Sequence, residues 1–459
     1  MFRRILIANR GEIAVRIIRT CIEMNIDTVA VYSTADKDSL HVKLATKAVC
    51  IGPAKASQSY LNMNSILTAA LDNHCDAIHP GFGFLSENSD FARLCEENNI
   101  KFIGPKADVI DAMGNKAMAK TMMRKGNVPV VPGSDGALKD YDEAKEIADR
   151  IGYPVLLKAS AGGGGRGMRR AYSEEELKKA YDEAKAEARA CFGNDEMYIE
   201  KLIVNPRHIE FQILADEMGN VVHLGERDCS IQRKNQKLIE ESPCMLLSEE
   251  LRDKMGTAAV NAAKASGYTN AGTVEFVLDG DNNFYFIEMN TRIQVEHGVT
   301  EMVTGIDLIK EQIRIAFHEP LGFEQEDIKL KGHAMECRIN AEDPAKGFMP
   351  NSGKITFLNL PGGPGVRVDT MLYNGYETSP FYDSMMAKII VHAPTRLEMI
   401  RKMRRALMEI STEGITTTSD FEYLILFHPD FIKGKYNVGF IEEHMDEILS
   451  WDAFGEGNE

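Results

Sequence analysis

Short apolar runs alternate with helical patterns over roughly the first hundred residues. Ile5–Ala8, Thr28–Tyr32, Ala48–Ile51, Ala77–His79 and Phe102–Gly104 are brief and apolar, as buried strands are. Between them, Ile13, Ala14, Ile17, Ile18 and Cys21 fall on one helical face. Strands alternating with helices predict a mostly parallel, doubly wound, Rossmann-like α/β domain over residues 1–113. A helical connection follows over 114–130, and the breaker-rich Val131-Pro132-Gly133-Ser134-Asp135-Gly136 marks a boundary.

Residues 131–203 read as a smaller α+β unit. Asp140–Ile151 is a predicted helix and Pro154–Ala159 a strand; a glycine run, a short strand, a charged helix over Ser173–Arg189 and a strand over Met197–Lys201 complete it. The character then changes. Ile209, Phe211 and Ile213 alternate with His208, Glu210 and Gln212, which predicts antiparallel sheet with one face solvated or turned to a ligand. Residues 204–446 are taken as one mixed region and 447–459 as an acidic tail. Arg396–Ile410 is amphipathic, and Arg396, Arg401, Lys402, Arg404 and Arg405 read as its solvated face.

Composition narrows the function. A net charge of −16 argues against nucleic acid or an anionic membrane as partner. No apolar run approaches the roughly 18–20 residues of a membrane helix, and Met1–Ala8 has no signal-peptide pattern. The eight cysteines form no CxxC pair, so they read as core residues in a reducing cytoplasm.

The most informative stretch is Glu288-Met289-Asn290-Thr291-Arg292-Ile293-Gln294-Val295-Glu296-His297. In an extended chain Glu288, Asn290, Arg292, Gln294 and Glu296 point one way, and Ile287, Met289, Ile293 and Val295 the other. So many polar groups leaving the apolar strand Phe284–Ile287 need a partner. Oxygen donors two residues apart suit magnesium, and the arginine, amide and carboxylate beyond suit a small anion that loses a proton. Glu275, on the paired-looking strand Thr273–Leu278, adds a carboxylate; a polar edge strand is the plain alternative. The second signal is Lys158-Ala159-Ser160-Ala161-Gly162-Gly163-Gly164-Gly165-Arg166-Gly167-Met168. Its glycines let backbone amides approach phosphate, and its order is not that of a Walker loop. Lys116, Glu200-Lys201-Leu202, His208, Gln232 through Lys237 and Arg338 are weaker candidates, each equally readable as a solvated or structural residue.

Together these residues resemble the biotin carboxylase family of ATP-grasp enzymes, from about Phe2 to about Glu443. The markers are Ile7-Ala8-Asn9-Arg10-Gly11-Glu12-Ile13-Ala14, His79-Pro80-Gly81-Phe82-Gly83-Phe84-Leu85-Ser86-Glu87-Asn88, the glycine loop, Glu226-Arg227-Asp228-Cys229-Ser230, Glu288–His297 and Glu336–Asp343. The resemblance implies a pre-ATP-grasp N-terminal domain, a mobile lid with the glycine loop, and an ATP-grasp core with a mixed C-terminal domain. It implies ATP at Lys116, Lys158, Gly164, Gly165, Met168, Glu200, Lys201, Leu202, His208, Gln232 and Asn235. It places magnesium (or manganese) at Glu275, Glu288 and Asn290, and bicarbonate among Lys237, Arg292, Gln294 and Val295. Glu296 becomes the base and Arg338 the group beside the biotin enolate.

The implied partners are a biotin carboxyl carrier protein, carboxyltransferase subunits and a second copy of the chain. The module is shared by acetyl-CoA carboxylase, which serves fatty acid biosynthesis, and by pyruvate and propionyl-CoA carboxylases. Three positions depart from the usual pattern: Asn235 stands for histidine, Phe82 for tyrosine, and Gly298 for proline, which is expected to loosen its loop. Met385-Met386-Ala387-Lys388-Ile389 is the nearest approach to a biotin-accepting sequence and lacks the methionine after its lysine, so biotin is expected on another protein. Two other readings are a carboxylate–amine ligase of the same fold and a non-catalytic nucleotide-binding regulator.

Overall fold

A computed structural model of the chain describes residues 1–159, 168–192 and 195–451. The predicted apolar runs form a parallel five-stranded sheet, in the order Lys47–Gly52, Asp27–Ser33, Arg4–Ile7, Ala77–His79 and Lys101–Phe102. Strand order reverses beside Arg4–Ile7, and the loops at the carboxyl ends there are the usual ligand position in such sheets. Asn9 ties those loops together, its Nδ2 donating to the carbonyls of Pro80 and Phe82 at 2.7 Å each. The first helix, Gly11–Glu23, buries its apolar face as expected, but it also buries Glu12 and Arg16.

The small unit is an antiparallel three-stranded sheet, Met168–Ala171, Val155–Ala159 and Met197–Lys201, packed against helices Tyr141–Ile151 and Glu174–Phe192. Asp140 caps the first of these helices by accepting from the Glu143 amide. The glycine loop, with Gly164 and Gly165, and the tail from Asp452 lie outside the described residues.

An eight-stranded antiparallel sheet dominates the remainder. Its order is Phe284–Asn290, Asn270–Leu278, Arg207–Ala215, Val221–Arg233, Gln236–Ser242, His333–Asn340, Met385–Ala393 and Val366–Thr370. Ile209, Phe211 and Ile213 face a core shared with the helix Glu249–Ser266. The opposite face carries Glu210 and Gln212, fully buried around Arg227 rather than solvated.

Two further expectations are corrected. The basic face of the helix Arg396–Glu409 is not simply solvated: Arg396 is buried, donating to both oxygens of Glu241 at 2.6 and 2.7 Å, and Lys402 donates to the His392 carbonyl. That pairing joins residues far apart in sequence, which a helical pattern does not reveal. Gly298 does not lie in a loop; it stands in the first turn of the helix His297–Thr304.

Candidate active site

A cleft of about 1830 Å³ runs between the small three-stranded unit, the large sheet and the carboxyl-end loops of the parallel sheet. The large sheet supplies its floor. Glu275 and Glu288 lie directly opposite each other on neighbouring strands, and Asn290 faces the same way. The strand Phe284–Asn290 carries a bulge beside Glu288, so Ile287 also lines the cleft instead of pointing away. The predicted alternation also ends early. The strand stops at Asn290; residues 291–296 turn, and Glu296 leads into the helix His297–Thr304. Arg292, Gln294 and Val295 still line the cleft, by the turn and not by strand alternation.

Glu275 is the hub. It accepts from Asn290 Nδ2 at 2.7 Å, Gln294 Nε2 at 2.8 Å and His208 Nε2 at 2.8 Å, with Lys237 Nζ at 3.5 Å. Burial pushes the Glu275 carboxyl up, but Lys237 and His208 outweigh it and hold it well below the usual range. Glu288 has no such relief: burial and then Glu275 push its carboxyl up. Like charges directly opposite on paired strands are destabilising, and a divalent cation with oxygen ligands removes the repulsion, so Glu275, Glu288 and Asn290 fit magnesium.

Glu296 is fully buried between two cations, with Lys237 Nζ at 2.5 Å and Arg338 Nη2 at 2.9 Å. Burial favours its neutral form, but Lys237, Arg338 and Arg227 hold it far below the ordinary range, so it is ionised. Each cation has a second carboxylate: Glu210 lies 2.6 Å from Lys237, and Glu240 2.6 Å from Arg338 Nε. Arg292 is braced by Glu87 at 2.9 Å and reaches Asn290 Oδ1 at 3.1 Å. Lys237 is therefore not part of a solvated charge run.

At the small unit's side, Lys116, Lys158, Met168 and Leu202 line the cleft. Lys158 Nζ donates to Glu200 at 2.5 Å, and Lys120 pairs with the same carboxylate. Burial and neighbouring lysines lower Lys158 to about 8 and Lys120 to about 7, as expected where cations crowd to meet an anion. Lys201 is turned away, bracing the carbonyls of Gly152 and Tyr153. The Leu202 amide is already donated to Pro154, and the adjoining Ile203 lines the cleft. Gln232 contacts His208. Asn235 also lines the cleft, at the hairpin turn between Val221–Arg233 and Gln236–Ser242, with φ of 65°. Asparagine tolerates that left-handed conformation better than most residues, which gives it a local reason to stand there.

Sequence patterns did not point to Lys120, Ile203 or Glu240 as parts of the site; Glu87 stood out only as one residue of a longer motif, and Glu210 only as part of a strand face read as solvated or turned to a ligand. Their partners lie on other elements, so local patterns carry no trace of them.

A lid-sized sheet closing over an antiparallel sheet, with lysines on one side and paired carboxylates on the other, defines an ATP-grasp ligase. Three family descriptions match in series: "Biotin carboxylase, N-terminal domain" over residues 1–110, "Carbamoyl-phosphate synthase L chain, ATP binding domain" over 115–323, and "Biotin carboxylase C-terminal domain" over 336–443. Biotin carboxylase 1 of Bacillus subtilis is 56% identical over 445 residues, covering 97% of this chain and 99% of its own. The chloroplastic biotin carboxylase of Arabidopsis thaliana is 57% identical over 445 residues, covering 97% and 83%. The biotin carboxylase domain dimer of Hydrogenobacter thermophilus 2-oxoglutarate carboxylase, solved with MgADP, ADP and bicarbonate, superposes with a TM-score of 0.91 at 53% identity, covering 98% of this chain and 99% of that one. The chain belongs to the biotin carboxylase family.

Proposed function

We infer that the chain catalyses ATP- and bicarbonate-dependent carboxylation of biotin held on a separate carrier protein, the first half-reaction of a biotin-dependent carboxylase. The observation that carries this is Glu296, an ionised, fully buried carboxylate gripped by Lys237 and Arg338, which line the same cleft as the Glu275–Glu288 pair. A carboxylate–amine ligase has no evident use for that arrangement.

In this reading ATP lies under the lid, with phosphates among Lys116, Lys158 and the glycine loop at Gly164 and Gly165, and with the base near Met168, Glu200, Lys201, Leu202, His208 and Gln232. Magnesium bound by Glu275, Glu288 and Asn290 supplies charge neutralisation on the phosphates, and manganese shares the ligand preference. Arg292, Lys237, Gln294 and Val295 hold bicarbonate against Glu296. The held anion brings negative charge beside Glu296, competes for its cations and so raises its basicity.

Glu296 takes the bicarbonate proton, and the freed oxygen attacks the γ-phosphorus, releasing ADP and forming carboxyphosphate. Lid closure keeps water from that intermediate. Carboxyphosphate separates into carbon dioxide and phosphate, and the phosphate takes the ureido proton of biotin. The resulting enolate, beside Arg338, attacks carbon dioxide to give carboxybiotin.

Lys388 is fully buried and donates to a backbone carbonyl, which supports biotin arriving on another chain. The proposed partners are a biotin carboxyl carrier protein, carboxyltransferase subunits and a second copy of this chain. No helix among the described residues is long and apolar enough to cross a membrane, and we place the enzyme in the cytoplasm. The test is ATP cleavage measured with bicarbonate and biotin added separately and together. Cleavage that needs bicarbonate and rises with biotin is expected; cleavage driven instead by an amine would overturn the reading.

A further inference from the structure

The segment carrying Glu296 leaves the sheet at Asn290, so no strand ladder fixes it. Two buried side chains hold its backbone. His297 Nδ1 donates to the Gln294 carbonyl at 2.8 Å, and Lys388 Nζ donates to the Val295 carbonyl at 2.6 Å. Lys388 stands on the strand Met385–Ala393, directly across from Arg338, and is 0% exposed.

An ammonium fully removed from water is strongly disfavoured unless it is paired. Here Glu12, reaching in from the N-terminal helix, lies 3.4 Å away, and Asp369 lies 3.9 Å away. Asp369 is already gripped by Arg367 at 2.6 Å. Glu12 has both carboxyl oxygens buried without a hydrogen bond, so Lys388 is its nearest relief. Two domains thus place charge in the core, and the ammonium donates its hydrogen bond to the carbonyl preceding Glu296. The Val295 carbonyl and the Glu296 amide share one rigid plane, so fixing the oxygen fixes the rotation of that peptide and the origin of the Glu296 side chain.

We propose that Lys388 is a positioning residue for the reaction: its ammonium, countered by Glu12, locks the Val295–Glu296 peptide and so sets where the Glu296 carboxylate meets bicarbonate. This rests on the reading that bicarbonate sits among Arg292, Gln294 and Glu296. Displacing a reacting group by about 1 Å lowers rates on the order of 10²-fold, so a lost lock is visible in kinetics.

The test uses the full chain. Lys388→Met alone strands the Glu12 charge, so it is paired with Glu12→Gln, which removes both charges together. The double variant is expected to fold, with KM for ATP near wild type, KM for bicarbonate raised about tenfold or more and kcat lowered. Glu12→Gln alone leaves the Lys388 ammonium only the more distant Asp369, so it is expected to raise KM for bicarbonate in the same direction by a smaller factor. A filler role moves both Michaelis constants alike or neither, and either result in the double variant overturns the proposal. Gln294→Ala is run in parallel. If it raises KM for bicarbonate while the double variant does not, the proposal alone fails; if neither changes it, the anion-site reading fails as well. Should the double variant not fold, the same constants are read on Lys388→Gln, whose shorter side chain cannot reach the same point. An unchanged KM for bicarbonate there also overturns the proposal.

Discussion

Glu296→Gln separates the chemistry of the site from its packing. Glutamine keeps the shape but removes one negative charge from between Lys237 at 2.5 Å and Arg338 at 2.9 Å. Both cations keep another carboxylate, Glu210 and Glu240 respectively. Glutamine offers one acceptor oxygen and one NH2 group, so it accepts from one cation and turns a donor toward the other; the structural loss is one charge-assisted hydrogen bond, about 1.5–3 kcal/mol. Loss of a general base lowers turnover roughly 10²–10⁴-fold, or about 2.7–5.4 kcal/mol in the barrier. That reduction applies to folded enzyme, so the stability loss cannot mimic it.

The assay is bicarbonate-dependent ADP release at saturating substrates, with ATP affinity measured by calorimetry. ATP affinity is expected to hold, because Lys116 and Lys158 lie at the small unit's side of the cleft. Stability adds a second readout. Burial favours neutral Glu296, but Lys237, Arg338 and Arg227 depress its folded pKa. A depressed carboxyl contributes stability above its unfolded pKa and loses it as pH falls through the folded value. Wild type should therefore lead the variant across the neutral range, with the gap closing only in acid. Near-normal turnover in Glu296→Gln would refute the base assignment.

Three further outcomes follow from the same geometry. Glu288→Gln removes one of two opposed carboxylates, so activity should fall and return in part with added magnesium, and an unchanged metal dependence would leave Glu288 structural. Arg338→Gln loses a donor aimed at the enolate, worth about 2.7–4 kcal/mol; bicarbonate-dependent ATP cleavage should survive better than biotin carboxylation, and equal loss of both contradicts a biotin-specific role. Asn235→His places a less tolerant residue at φ of 65° beside the cleft; KM for ATP should shift while biotin dependence stays, and no change in any ATP parameter would show the position to be indifferent.

Much of this was legible in the chain itself. Parallel strands buried on both faces are continuous apolar runs, so Arg4–Ile7, Asp27–Ser33 and Ala77–His79 could be read almost to the residue. Glu288 and Asn290 could be read because they sit on a strand with a period of two. The same period failed at Ile287, where a bulge inserts a residue, and beyond Asn290, where the chain turns. Local patterns also hide buried charge. Arg396 reads as solvated until Glu241 arrives from another strand, and Lys388 reads as a failed biotin acceptor until Glu12 and Val295 close around it. Folding brought those partners together from distant segments, so the residues that orient the site were harder to read than those that line it.

In the proposed reaction a bicarbonate oxygen, freed by Glu296, attacks the γ-phosphorus before carbon reaches biotin. Turnover with oxygen-18 bicarbonate, ATP, magnesium and a biotinylated carrier tests it directly, with phosphate and carboxybiotin both analysed by mass spectrometry. One labelled oxygen in the phosphate and labelled carboxylate on biotin are expected, both absent without ATP. Unlabelled phosphate formed alongside labelled carboxybiotin would contradict it.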